Sequence, residues 1–462
     1  MRPVASSPVR HARDRRYPGV PRRALLAALL CLLAGAPVTA QQGGRYLGVA
    51  TCAGSTCHGR AEGNGAVVRQ DEIATWQEAS SPTGAHSRAL AVLDSLRGRQ
   101  IAATLGLGEA SSAPACLGCH ATTGTAAERG PRFQVSDGVG CESCHGPAAG
   151  WIATHYTTSG THAANVAAGL TPLDDPQVRA RVCLDCHFGS AGGGQFVTHR
   201  MMAAGHPRIT FELDLFSTLQ QHHDEDADYQ RRKPRTDSVR LWAVGQAEAV
   251  RRQLALFARP GFGSEGIFPE FFFYDCHSCH RAIGDGPERR LTFESNPGRP
   301  IAFGQPPFND ENMIMLSAVA RVLAPGEAGA FEAASGAFHR AMGEDRAAAN
   351  AAAARLGASA AALSDALAGG GSGDGFAVIA AIADRTTSPR FTDYAGSAQA
   401  VMAVDTLLNA LVREGRVTVG AAAGIRAQIN RAYDAVRSPE SYNPVRFRAA
   451  LGGAAGAIGS LR

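Results

Sequence analysis

Five short cysteine and histidine motifs constrain this chain more than any other feature of its 462 residues. Four motifs have two residues between their cysteines, and the first has four. In every motif a histidine directly follows the second cysteine: Cys52/Cys57-His58, Cys116/Cys119-His120, Cys141/Cys144-His145, Cys183/Cys186-His187 and Cys276/Cys279-His280. The motifs use ten of the eleven cysteines, so the fold must bring two thiols and one imidazole together at five places.

The spacing of these motifs predicts covalent attachment of five haem c groups. Two thiols at this separation can bond to the two vinyl groups on one haem edge, while the adjacent histidine binds the iron. A zinc knuckle, a thiol redox pair or a structural disulfide would explain one cysteine pair, but none of them explains a histidine after all five. In the longer first motif, Gly54 and Ser55 give the loop room to fold back, and attachment through Cys57 alone is the alternative.

Five six-coordinate irons need ten axial ligands, and the motifs supply only five. The histidines favoured for the remaining positions are His86, His155, His199, His206 and His222. Each lies among or close to the attachment motifs, and the haem count requires such partners. The second haem, at His120, is expected to be the hardest to supply with a partner.

Local sequence sets the expectation for each candidate. His155 lies ten residues beyond His145, and at that distance it would reach a neighbouring haem more readily than its own. His199 and His206 are seven residues apart on a helix interrupted at Gly205, so they should approach different irons or different sides of one haem.

Two more favoured candidates are His86 and His222. His86 follows a short amphipathic helix that begins at Glu72, and His222 is favoured over its neighbour His223. His277 is expected to be a spectator inside the fifth motif. His162 and His339 are interpreted as ordinary surface residues, and Met201 and Met202 are weaker distal ligands.

The first forty residues have the pattern of an export signal. Seven arginines precede or flank the apolar run at 24–36, and the small residues Val38, Thr39 and Ala40 suit cleavage before Gln41. Cys31 would leave with residues 1–40. The mature chain then has 38 basic and 40 acidic residues, a net charge of −2, and no basic patch of the kind that binds nucleic acid. We therefore expect a periplasmic or otherwise exported protein without a membrane span.

With these residues placed, the chain resembles the multihaem cytochrome c family that includes the tetrahaem electron carrier of bacterial ammonia oxidation. The likeness is most specific around Cys141-Glu-Ser-Cys144-His145-Gly-Pro147, and it extends to Trp76 and to the order of the first four motifs. The resemblance implies that His86 and His155 bind the irons of other haems. The first spacing, the fifth motif and the long C-terminal part depart from the tetrahaem pattern and indicate a longer, pentahaem form.

The composition changes along the chain. Residues 41–300 hold every motif and are rich in turns, so we expect a cytochrome domain with little regular structure, in which haem replaces much of the core. Residues 236–259 should form a helix that packs either on a haem face or in an ordinary core. Residues 301–462 are alanine-rich and contain no cysteine, which predicts a haem-free helical domain. The expected fold class is mainly α.

The expected function is electron relay between redox partner proteins through closely packed haems, mostly with two histidine ligands. The alternative is an oxidoreductase that acts on a small nitrogen or sulfur compound at one five-coordinate haem. No motif ends in lysine, and Lys233 is the chain's only lysine, which weakens the comparison with pentahaem nitrite reductases. The C-terminal helices could also mediate oligomer formation.

Overall fold

The computed structural model describes residues 44–62, 70–190, 195–223, 231, 237–259, 270–281, 299–300 and 306–462. The predicted signal at residues 1–40, with Cys31, lies outside these ranges, and so does Lys233. No β-strand occurs in them, and two isolated bridges join Tyr46 to Arg129 and Tyr274 to Phe308. The expectation of a mainly α protein is confirmed.

The described α-helices are numbered here in chain order. They are α1 (Val49–Cys52), α2 (Glu72–Gln77), α3 (Leu96–Leu105), α4 (Pro114–His120), α5 (Cys141–His145), α6 (His162–Ala167), α7 (Pro176–His187), α8 (His199–Ala203), α9 (Leu213–Leu219), α10 (Ser238–Phe257), α11 (Glu311–Leu323), α12 (Pro325–Ala341), α13 (Arg346–Gly369), α14 (Gly375–Thr386), α15 (Tyr394–Arg413), α16 (Val419–Ala435) and α17 (Pro444–Gly459). Short 3₁₀ helices lie between them at Pro82–Gly84, Ala91–Asp94, Ala110–Ser112, Ala126–Glu128, Val135–Asp137, Ala148–Gly150, Phe271–Phe273 and Cys276–Ser278.

Most helices in the region of the motifs are short because turn residues stop them. Helix α3 is typical: the Ser95 hydroxyl accepts a hydrogen bond from the Gly98 amide at its start. At its end Gly106 adopts a φ of 70°, a left-handed conformation that glycine tolerates best. Leu93, Ala102, Ala110, Ala113 and Cys116 form a small separate hydrophobic cluster here. The region therefore has little apolar core formed by its own side chains.

Helix α10 lies at the centre of the larger core. It spans Ser238–Phe257, within two residues of each predicted end, and the Asp237 carboxylate caps it by accepting a hydrogen bond from the Arg240 amide. The predicted apolar stripe is buried, and Trp242 has no exposed surface. The helix packs mainly against α13, and also against α7. Of the two interpretations offered by the sequence, the structure supports the core helix.

The helices of residues 311–459 form a bundle. Helices α12 and α13 pack against each other, as do α16 and α17. The predicted interruptions at 369–375, 388–389, 415 and 439 fall at helix ends or between helices. The break expected at Gly326 lies instead at Ala324, because Pro325 occupies the first turn of α12, where its missing N–H costs nothing.

A buried ionic network joins the fifth motif to the bundle. The Arg299 guanidinium donates to Asp310 and to Asp393, each at 2.7 Å. Asp275, which precedes Cys276, accepts a hydrogen bond from the Ala395 amide at 3.3 Å. Because buried charges are tolerated only when they are paired, these contacts fix the fifth motif against α15.

One hydrophobic core runs through both predicted domains. It extends from Ala180 and Leu184 of α7, through α10, to Ile458 of α17. Residues Gly44–Arg462 form one compact unit. The division into domains at residue 300 stays a prediction.

Among the described helices, α15 is long and apolar enough to cross a membrane by length and composition. However, 78% of its most apolar window is buried inside the structure. That degree of burial is typical of a core helix, and α15 packs against α14, α16 and α11.

Candidate haem-binding sites

Helical turns present the cysteines of four motifs. The second and fourth motifs end α4 and α7, the third motif is the whole of α5, and the fifth contains a 3₁₀ turn. Positions three apart lie on one side of an α-helix, so the two thiols of the second, third and fourth motifs share a face and the histidine follows them. In the longer first motif, Cys52 ends α1 and the chain turns before Cys57.

The fifth motif departs from this arrangement at Cys279. The sequence gives Cys279 the same role as the other motif cysteines. Cys279 and Cys57 are exposed, whereas the other eight are buried or partly buried. The physical reason is that the 3₁₀ turn ends at Ser278, so Cys279 lies beyond it while Cys276 packs against the large core. Attachment of haem through Cys279 stays a prediction.

Each motif histidine faces a second histidine from a distant part of the chain. We number these arrangements as sites 1 to 5, in motif order. The imidazole centres are 6.3 Å apart for His58 and His155 (site 1), 6.4 Å for His120 and His206 (site 2), 6.3 Å for His145 and His222 (site 3), 6.1 Å for His187 and His86 (site 4) and 6.1 Å for His280 and His199 (site 5).

These separations fit a metal ion between the rings. Imidazole nitrogens bind transition metals at about 2 Å, and two rings on opposite sides of one ion therefore have centres about 6 Å apart. Two cysteines and two facing histidines at each site are a donor set that fits a covalently attached haem with two histidine ligands.

The structure pairs every histidine predicted as a ligand with a different motif. As expected, His155 faces the first motif rather than the third, which directly precedes it in the chain. His199 and His206 face two different motifs, since Gly205 turns the chain between them with a φ of 112°. The expectation that His120 would be hardest to supply with a partner is not met, because His206 faces it.

Site 3 has two facing histidines. His223 lies 6.4 Å from His145, almost the same distance as His222, and nitrogens of the three rings lie within 4.8 Å of one another. The Nδ1 atom of His222 is 2.9 Å from the Gln220 carbonyl oxygen. The Nδ1 atom of His223 is 3.5 Å from the Glu72 carboxylate. Both rings are thus held through Nδ1, and the geometry admits either one as the partner of His145.

Main-chain carbonyls orient several of the other rings. The Nδ1 atoms of His120, His155 and His206 lie 2.7, 2.7 and 2.8 Å from the carbonyl oxygens of Ala89, Ile152 and Pro207. A hydrogen bond at Nδ1 fixes the tautomer and leaves Nε2 as the nitrogen that can bind a metal.

Site 1 differs from these sites because a carboxylate holds its motif histidine. The Nδ1 atom of His58 is 2.9 Å from Oε2 of Glu72, the first residue of α2. Burial alone would raise the pKa of Glu72, but hydrogen bonds from His223 and His58 lower it well below its usual value. The sequence placed Glu72 only at the start of an amphipathic helix and gave no signal of this contact.

Burial favours neutral rings at two sites. Loss of solvent lowers the pKa of His145 to about 3 and that of His187 to about 4. The neutral imidazole is the form that binds metals, so both rings are ready to act as ligands at neutral pH.

Thiols of different motifs lie next to each other. The thiols of Cys52 in the first motif and Cys141 in the third shift each other's pKa, as do those of Cys119 in the second and Cys186 in the fourth, so the two thiols of each pair lie near each other. Burial, and then the neighbouring thiols of Cys183 and Cys186, raise the pKa of Cys144 to about 12. The third motif therefore lies near the fourth.

The Thr122 and Ser143 hydroxyls link the second and third motifs by a hydrogen bond of 2.7 Å. Buried Glu142 accepts hydrogen bonds from the amides of Leu47, Gly48 and Ala148. These polar contacts fix the motifs relative to one another through the chain's own atoms.

The other candidate ligands lie apart from the sites. His277 is buried, and its Nδ1 is 2.6 Å from the Pro439 carbonyl oxygen, so it faces the bundle. His162 is half exposed beside Asp174. Met202 packs against the large hydrophobic core, and Met201 lies in α8.

The interpretation of His339 as a surface residue was wrong. Its ring is 4% exposed, and its Nε2 lies 3.1 Å from Asp310. The packing of α12 against α11 and its neighbours encloses this ring. The local sequence does not indicate that a buried carboxylate lies beside it.

Residues 51–146 match the family model described as cytochrome c554 and c-prime. This match supports a multihaem cytochrome c family. The segment includes the first three motifs and His86, and the match supports a c-type cytochrome with covalently bound haem that acts in electron transfer. The last two motifs and the bundle lie beyond it. No curated protein and no solved structure matches the chain.

Proposed function

We propose that the protein is an exported pentahaem c-type cytochrome that relays electrons between redox partner proteins. This proposal rests on one observation: every motif histidine faces a second histidine, with ring centres 6.1 to 6.4 Å apart. Five sites with the same four donors are a pattern that no other function considered for this chain requires.

The residues would hold each haem at four points. Two cysteines form the thioether bonds, the motif histidine binds one side of the iron, and the facing histidine binds the other. When bound, haem supplies a one-electron redox centre. Two imidazoles leave no open position for a substrate, which favours a carrier over the alternative oxidoreductase.

The contacts between motifs support a continuous route for electrons. The neighbouring thiols favour an arrangement in which sites 1, 3, 4 and 2 follow one another. Site 5 is tied to site 2 through the segment that carries both His199 and His206. Rigid neighbours suit repeated electron transfer because little of the structure has to rearrange.

The location and the partners are inferred from charge and from the leader pattern. Removal of residues 1–40 leaves an excess of acidic side chains, and the haem propionates would increase it. We therefore propose a periplasmic or similarly exported carrier whose redox partners present basic surfaces. The exposed faces of the C-terminal helices are the proposed surface for any self-association.

Mass and spin state of the purified mature holoprotein test the proposal. We expect the intact mass to exceed that of the polypeptide by five haems. We expect electron paramagnetic resonance of the oxidised protein to show only low-spin iron, with no carbon monoxide binding after reduction. Fewer than five haems would contradict the pentahaem form, and a high-spin iron that binds carbon monoxide would favour the catalytic alternative.

Site 3 can be resolved by the same spectroscopy. If His222 is the ligand, His222→Ala converts one haem to high spin whereas His223→Ala converts none. The opposite result would assign the site to His223 and leave the five-haem proposal intact.

A further inference from the structure

We infer that Glu72 sets the reduction potential of site 1 and makes it the lowest of the five. This inference rests on the proposed function, since it requires haem at His58. It concerns a positioning residue, which would act on the iron only through the His58 ring.

The carboxylate of Glu72 is held firmly in place. Glu72 is 7% exposed, and the helix it begins is tied to the first motif by a hydrogen bond of 3.0 Å from the Ile73 amide to the His58 carbonyl oxygen. Oε2 lies 2.9 Å from Nδ1 of His58, and Oε1 lies 3.5 Å from Nδ1 of His223. Contacts at both oxygens leave the carboxylate little freedom to turn away from His58.

Apart from the longer contact of 3.5 Å between Glu72 and His223 at site 3, the other described sites lack an equivalent contact with a buried carboxylate. Neutral main-chain carbonyls hold His120, His206 and His222. At site 5 the Glu440 carboxylate is 3.7 Å from Nδ1 of His280, and both side chains are more than half exposed. That distance is too long for a good hydrogen bond, and water screens the charge.

A buried carboxylate has a larger effect on the ring than a carbonyl. A hydrogen bond to an ionised acceptor is roughly twice as strong as one to a neutral acceptor, and it moves negative charge onto the imidazole. The ring becomes a better donor to iron through Nε2. A stronger donor stabilises the oxidised, more positive iron, so the reduction potential falls.

The structure also supplies a spectroscopic label for site 1. Its two imidazole planes are nearly parallel, at 17°, whereas the planes at sites 2, 3 and 4 cross at 72° to 84° and those at site 5 at 39°. In low-spin ferric haem, parallel rings separate the iron orbitals and give three resolved g-values. Nearly perpendicular rings leave two orbitals close in energy and give one large g-value.

The experiment is a redox titration of the holoprotein followed by electron paramagnetic resonance. In the wild-type protein, the rhombic signal with the best resolved g-values should be the last to disappear as the potential is lowered. In Glu72→Gln, which preserves the size and a hydrogen-bond acceptor but removes the charge, the midpoint of that signal should shift to higher potential. The signals of sites 2 and 4 should keep their midpoints.

Glu78→Gln is the matched control. Glu78 follows the same helix, is exposed, and bonds to Ser80 rather than to a histidine, so its removal changes the net charge equally but should not shift the rhombic signal. An unchanged midpoint in a Glu72→Gln protein that retains five haems would overturn the inference. If that variant does not load haem, a wild-type rhombic signal that disappears before the others would overturn it equally. Absence of haem from the wild-type protein would instead refute the proposed function.

Discussion

Helices in the first part of the chain, α1 to α9, are 4 to 12 residues long, whereas those of the bundle, α11 to α17, are 12 to 24 residues long. The two regions also bury different groups. The bundle, together with α7, α9 and α10, buries leucine, phenylalanine and alanine side chains in one continuous core, while the segment from α1 to α6 has a small apolar cluster and many partly buried cysteines and histidines. The bundle thus contains its own source of stability, and the motif region needs the apolar surface of haem to complete its interior.

The largest expected effect is the loss of folded structure in the motif region when haem is absent. A chain made in a reducing cytoplasm without residues 1–40 would acquire no haem. We expect amides in α1 to α6 to lose most of their protection against hydrogen exchange, while α13, α16 and α17 stay protected, because only the latter pack within the large core. Equal protection of both regions in the haem-free chain would show that the motif region folds without its cofactor.

A cavity in the bundle should lower stability by the next largest amount. Phe338 is fully buried and packs against Phe257 and Phe308. Phe338→Ala should reduce the free energy of unfolding by about 3–5 kcal/mol, measured by denaturant titration, with the haem absorption of the folded protein unchanged. Val419→Ala, at a position that is 74% exposed, is the control and should change it by less than about 0.5 kcal/mol. A change in haem absorption would show that haem binding in the motif region depends on the packing of the bundle.

The buried network at the border of the two regions should make stability depend on pH. Burial, reinforced by Asp393, raises the pKa of Asp275 from 3.8 to about 7. Between these values the folded state retains a proton that the unfolded chain has lost, so the free energy of unfolding falls as the pH rises. The slope from this one group is at most about 1.4 kcal/mol per pH unit.

Asp275→Asn should remove that part of the slope when denaturation is compared between pH 4 and pH 7. Other charged groups around the network, Arg299, Asp310, Asp393 and His339, remain in the variant and set the residual slope. Asp434→Asn, in an exposed pair with Arg437, should leave the wild-type slope unchanged. If Asp275→Asn has the same slope as wild type, Asp275 does not carry the extra proton.

The smallest effect is expected at a helix cap. The Asp345 carboxylate accepts a hydrogen bond of 2.8 Å from the Ala348 amide at the start of α13. Asp345→Ala should lower the free energy of unfolding by about 1 kcal/mol, while Asp345→Asn, which retains an acceptor, should lower it less. Equal losses in the two variants would indicate that charge rather than the hydrogen bond matters there.

Local sequence predicted helices well and contacts poorly. The ends of α10 follow from a capping residue and an apolar stripe, both of which are local features. The pairing of His206 with His120, or of His199 with His280, depends on how distant segments pack, and spacing cannot supply that information. His339 and Glu72 show the same limit: each was assigned to an ordinary position, and its role depends on a partner that only the folded chain brings close.

The sequence also does not indicate which motif cysteines are exposed. Cys276 and Cys279 have the same spacing as the pairs at Cys116, Cys141 and Cys183, yet Cys279 is exposed. Spacing fixes how far apart two thiols lie along the chain, whereas the packing of other elements around them decides which thiol is covered.

The pairing of distant histidines also determines the order in which the sites can be completed during synthesis. Ordered by the later member of each pair, the pairs are complete at residues 155, 187, 206, 222 and 280, so the first motif obtains its partner earliest and the fifth latest. Because a chain emerges from its N-terminus, the motif histidine His120 waits for 86 further residues until His206 appears. The second site therefore cannot be completed until the fourth motif has emerged, because His206 follows that motif in the chain.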